Sequence, residues 1–154
     1  MKRKDVIIYQ GTQAMPGILR LPDREDPAPA VVFHNGYCAY MEMYDEMAEA
    51  FCKEGYVTLQ YEPRGSRGSE YGHLLCGTGW LEDANAAISF IWGQPQTDKN
   101  RIGNAGVSMG GATTIRQGAI DPRVKALFAM APVGSWSGLM EERWTANRGE
   151  DAFA

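Results

Sequence analysis

The stretch RIGNAGVSMGGATTIRQGAI, residues 101–120, decides how this chain is read. Its first part, RIGNAGV, has the character of a buried strand, and Met109 to Ile120 fits a helix. Between them stands Ser108, two residues from Gly106 on one side and two from Gly110 on the other. A serine at such a strand–turn–helix junction is held in a strained backbone conformation with its hydroxyl exposed. The flanking glycines carry no Cβ, so strand and helix can approach closely. The helix N-terminus adds a positive end where an oxyanion would form. The competing reading is a glycine-rich turn that binds a phosphate. That reading expects G-x-G-x-x-G or a Gly-Lys-Ser/Thr ending, and this stretch has neither.

Working outward, VKALFAMA (Val124–Ala131) predicts the next strand, stopped by Pro132. Upstream, Trp80, Ala84, Ala87, Ile88 and Ile91 mark the inner face of a helix that Gly93 and Pro95 end. YVTLQY (Tyr56–Tyr61) is β-branched and aromatic, hence a strand. Tyr44, Met47, Ala48 and Phe51 recur at helical spacing, and Gly55 closes that helix. VVFH (Val31–His34) reads as a strand buried on both faces. DVIIYQ and GILRLP predict two short strands, antiparallel at a sheet edge. Strands alternating with helices imply parallel pairing through right-handed crossovers. The fold class is therefore α/β, a mostly parallel sheet with helices on both faces. In such sheets ligands lie at the carboxyl ends of the strands, here HNGY, EPRGS, VSMG and APVG. Ser108 falls in that crevice.

The 154 residues suit one domain, and 44% hydrophobic with 22% charged residues is ordinary globular composition. A net charge of −4 argues against nucleic-acid and membrane-surface partners, which favour basic patches. No run approaches the ~18 apolar residues of a membrane span, and MKRKDVII lacks the pattern of a signal peptide. Cys38, Cys52 and Cys76 have no metal-ligand spacing and read as free thiols of a cytoplasmic protein.

Several motifs in order resemble the α/β-hydrolases, in particular their dienelactone-hydrolase and dipeptidyl-aminopeptidase/acylaminoacyl-peptidase-like branches. VVFHNGY resembles the strand and oxyanion loop, EPRGSRGSEYG the Arg-Gly-Ser loop, and WLEDANAAISFI the helix before the nucleophile. TDKNRIGNAGVSMGG is similar to the approach to the nucleophile itself. The resemblance implies a nucleophile elbow with Ser108 as catalytic nucleophile. It implies an oxyanion hole made by the backbone N–H groups of Met109 and Tyr37. His34 and Arg64 would then brace the site, with Glu62 where the family usually has Asp. It implies no metal and no organic cofactor.

Serine needs a base to take its proton and a third group to orient that base. In the resembled family the order is Ser, then Asp or Glu, then His. Here both histidines, His34 and His73, precede Ser108, and Glu141, Glu142, Glu150 and Asp151 carry no motif that marks a triad acid. His34 reads as packed in the oxyanion loop and His73 as a solvated or structural loop residue, rather than as a base. The apolar strand Val124–Ala131 is also unsuited to a bare sheet edge. These features imply the N-terminal part of a longer hydrolase, a single domain lacking its last two strands. The alternative is a half-domain that dimerises through that edge strand. The functional expectation is a serine hydrolase for an ester or peptide-like acyl bond, with acid and base outside this chain. Esterase, lactonase, peptidase and acyl-transfer chemistry stay open. So does a non-catalytic α/β binding or interaction module, or an inert fragment, that retains the elbow turn.

Overall fold

The computed structural model describes residues 1–37, 39–66, 79–135 and 137–138. β1 (Lys2–Gln10) and β2 (Gln13–Leu21) form an antiparallel hairpin. β3 (Ala28–His34) follows, then a 3-10 turn (Met41–Tyr44) leading into α1 (Asp45–Lys53). Next come β4 (Val57–Tyr61), α2 (Gly79–Trp92), β5 (Thr97–Val107), α3 (Met109–Ile120) and β6 (Val124–Met130). The six strands lie in the order β1-β2-β4-β3-β5-β6. β2 joins β4 antiparallel, and β4, β3, β5 and β6 run parallel. The expected α/β class, with an antiparallel pair at one edge, is what forms.

β3 begins at Ala28, three residues before the predicted Val31, because Ala28 N–H donates to the Gln96 carbonyl and starts the ladder early. Along it the side chains alternate as the pleat requires. Ala28, Ala30 and Val32 pack with Ala87, Ile88 and Ile91 of α2, while Val31 and Phe33 meet Tyr44 and Ala48 on the other face. α3 packs beside α2, so helices cover both faces of the sheet. α1 ends as its sequence predicts: Gly55 takes φ +92°, its N–H donates to the Cys52 carbonyl, and Tyr56 N–H donates to that of Phe51. Phe51, predicted to face inward, is 36% exposed, and Cys52 is buried in its stead.

The chain leaves β3 for β4 on one side and later returns to β5 on the other. The strand order thus reverses between β3 and β5, and their carboxyl ends open a crevice there. At the far edge, β6 leaves Leu127, Phe128 and Met130 about half exposed. An apolar groove beside it is lined by Met47, Phe51, Tyr56, Ala105, Ala126 and Phe128. Among the described residues, no helix is long and apolar enough to cross a membrane.

Candidate active site at the carboxyl ends of β3 and β5

Ser108 caps the N-terminus of α3 with φ 58° and ψ −119°. Only one other described non-glycine residue, Ala131, has positive φ. For a serine this backbone conformation costs about 1–3 kcal/mol, so the surroundings must hold it. They do so from two sides. Ser108 N–H donates to the Met130 carbonyl at 2.9 Å, and the Ser108 carbonyl accepts from Ala112 at 3.1 Å and Val133 at 3.2 Å. The neighbouring glycines are required by space. A Cβ on Gly106 would overlap the Gly110 carbonyl, and one on Gly110 would overlap the carbonyl of His34.

Met109 follows as the first residue of α3, with its side chain buried. Its amide belongs to the first helical turn, where N–H groups lack intrahelical acceptors. Across the crevice, the loop after β3 comes close: a Cβ on Gly36 would stand 3.2 Å from the Val107 carbonyl and 3.7 Å from Ser108 Cβ. Tyr37, next in that loop, is 45% exposed. Ser108, Met109 and the Asn35–Tyr37 loop therefore share one small region.

His34 ends β3 but turns inward. It is fully buried, and its Nδ1 shares a 2.9 Å hydrogen bond with the Tyr61 hydroxyl. Burial lowers its pKa from 6.5 to about 4, the Asn104 side chain opposing weakly. It is neutral at pH 7, and its ring meets that of Tyr61 edge-on at 5.7 Å. Burial likewise pushes the Tyr61 phenol well above its usual range, helped by the charge of Asp83. His73 lies outside the described residues, as do Glu141, Glu142, Glu150 and Asp151.

Arg64 opens the loop after β4 and is tied to α2. Its backbone N–H donates to Asp83 Oδ2 at 2.8 Å, and its guanidinium meets the same carboxylate through Nε and a terminal nitrogen. Trp80 Nε1 donates to the Arg64 carbonyl at 3.1 Å. Asp83 has no solvent exposure. Sequence reasoning missed it, although it stands at helical spacing among Trp80, Ala84 and Ala87, where a carboxylate demands a buried partner.

Two further residues shape the loop after β3. Glu62, 3% exposed, accepts from Asn35 Nδ2 at 3.1 Å and from Met41 N–H at 2.6 Å, clasping that loop near both ends. Tyr44, read from sequence as part of an apolar helix face, also uses its hydroxyl. It donates to the His34 carbonyl at 2.9 Å and accepts from Val107 N–H at 3.1 Å. No sequence pattern marked that second use.

A family model described as X-Pro dipeptidyl-peptidase (S15 family) matches residues 16–150, which include every element of this crevice. The chain belongs to this S15 family. Membership agrees with the α/β-hydrolase resemblance and its peptidase-like branch. Among similar proteins, a thiohydrolase, aneE, from Aspergillus aculeatus is 33% identical over 112 residues, covering 71% of this chain and 35% of the relative. A polyketide transferase, grgF, from a Penicillium species is 25% identical over 138 residues, 88% of this chain and 43% of the relative. A solved structure of DcsB with its substrate analogue superposes with TM-score 0.81 at 25% identity, covering 97% of this chain and 56% of that one. The chain thus spans about a third of the thiohydrolase and just over half of the DcsB chain.

Proposed function

We propose that this chain carries the nucleophile of a serine hydrolase that acts on an ester, thioester or peptide-like acyl bond. The observation that carries the reading is Ser108 at φ 58°, heading α3 at the reversal of strand order, opposite the Asn35–Tyr37 loop. In this reading Ser108 Oγ loses its proton to a base and bonds to the acyl carbon. The backbone N–H groups of Met109 and Tyr37 hold the developing oxyanion. Collapse expels the protonated leaving group and leaves an acyl-enzyme, which water then cleaves, freeing the acid and restoring the hydroxyl. The thiohydrolase relative supports a thioester as substrate, and the transferase relative supports release to an acceptor other than water.

His34 does not serve as the base, being buried and engaged with Tyr61. The base and its orienting acid come, in this proposal, from polypeptide outside these residues or from a partner chain. The relatives, roughly twice this chain's length, leave room for both.

The test is covalent labelling with a fluorophosphonate, with and without added imidazole as a surrogate base. The expected result is an adduct on the peptide containing Ser108, faster with imidazole and absent in Ser108→Ala. A folded chain that gives no adduct under either condition overturns the proposal. It would favour a second reading, a non-catalytic α/β module or an inert fragment.

A further inference from the structure

β3 and β5 are hydrogen-bonded neighbours up to the pair His34↔Gly106. Beyond it they part, one leading to the Asn35–Tyr37 loop and the other to Ser108. Two backbone groups lie at the parting: the His34 carbonyl and the Val107 N–H. The Tyr44 hydroxyl stands between them, donating to the first at 2.9 Å and accepting from the second at 3.1 Å. A phenol thus bridges the ends of the two strands.

The insertion is firmly set. Tyr44 is 7% exposed and its ring lies 5.2 Å from that of Phe33. Burial raises its pKa, so the hydroxyl stays protonated and able to donate. On its other flank, β5 is bonded to β6 through the pair Val107↔Met130, which fixes Val107 from that side. One oxygen atom, through its two hydrogen bonds, thus ties the two strand ends together where they part. The same gap separates Ser108 from the loop that carries Tyr37.

We propose that Tyr44 is a positioning residue whose hydroxyl fixes the spacing between the Ser108 turn and the Asn35–Tyr37 loop. The inference rests on the reading of Ser108 as nucleophile and adds a residue that touches neither substrate nor reacting atom. Its action is geometric: without the hydroxyl, two backbone groups each lose a hydrogen bond and the strand ends are freer to shift. Misplacement of a catalytic constellation by a fraction of an ångström is enough to slow the chemistry severalfold, and 1 Å by about a hundredfold.

The test compares Tyr44→Phe with Ile88→Val, a core substitution on the α2 face that lowers stability without touching the crevice. Both are assayed well below their unfolding midpoints. The expected result is phosphonylation of Ser108 slowed about tenfold in Tyr44→Phe and unchanged in Ile88→Val. Equal labelling rates in Tyr44→Phe and the parent overturn the proposal. Amide NMR decides the matter independently of reactivity. Tyr44→Phe is expected to shift the Tyr37 and Val107 amide resonances and leave those of Leu59 and Ile91 in place. If the parent takes no label, the nucleophile reading fails, yet the Tyr37 shift still tests the spacing role. An unmoved Tyr37 resonance refutes that role by itself.

Discussion

The carbonyl oxygen of His34 fills the space that a Cβ on Gly110 would need. The end of β3 and the first turn of α3 are in direct backbone contact, with no side chain that could yield. Gly110→Ala is therefore expected to lower stability by about 3 kcal/mol, at the upper end of overpacking effects. Gly134→Ala, where a Cβ meets nothing within 4 Å, is the control and should change stability by less than about 0.5 kcal/mol. Urea unfolding curves of the two variants check both numbers.

His34 gives the fold an acid sensitivity. Its folded pKa of about 4 lies below the unfolded value of 6.5, so between them the unfolded chain binds more protons. The stabilisation is complete above pH 6.5 and is lost as pH falls toward 4. The shift corresponds to roughly 3 kcal/mol. The parent should lose about that much more stability than His34→Gln between pH 7.5 and pH 4. Unfolding free energies measured across that range, variant against parent, are the check.

Arg64 has two acidic neighbours of very different worth. Asp83 is without solvent exposure, whereas the Glu82 side chain is 54% exposed. Asp83→Ala leaves the guanidinium and the Arg64 backbone N–H without their main partner and is expected to cost about 3 kcal/mol. Glu82→Ala should cost under about 1 kcal/mol, as surface pairs do. Thermal unfolding of both variants separates them.

Glu62 accepts two hydrogen bonds that a glutamine cannot both keep, since one of its oxygens becomes a donor. Glu62→Gln is expected to cost about 1–2 kcal/mol and to loosen the Asn35–Met41 loop. On the nucleophile reading, fluorophosphonate labelling of Ser108 should slow about tenfold in the same variant.

β6 presents Leu127, Phe128 and Met130 at the edge of the sheet, a surface suited to pairing with a second copy of the chain. Sedimentation velocity should show association that rises with concentration. Phe128→Lys should suppress it, and a monomer at all concentrations in the parent would refute edge pairing.

The sheet was legible because its signals are local. The apolar runs around Val32, Leu59 and Ala105 and the helical spacing from Trp80 to Ile91 each name their own element. The boundary at Ser108 was marked by glycines whose spatial need the structure accounts for. What escaped were polar groups whose partners lie far away in sequence. Tyr44 meets Val107 across 63 residues, and Arg64 meets Asp83 across 19. A tyrosine on an apolar face gives no sign that its oxygen bridges two strand ends elsewhere. An aspartate in a helix gives none that it is buried. Such roles come from topology, which composition and periodicity do not encode.

Ser108 is tethered through its own backbone to β6, an edge strand among the described residues. Its N–H donates to Met130, and its carbonyl accepts from Val133 just past that strand as well as from Ala112 of α3. Edge strands are where native-state fraying begins, with opening free energies well below that of global unfolding. The conformation of the serine thus depends in part on the hold of β6 on β5. On warming, the turn at Ser108 should relax while Leu59 and Ile91 are still protected from hydrogen exchange, so that competence fades before the fold does.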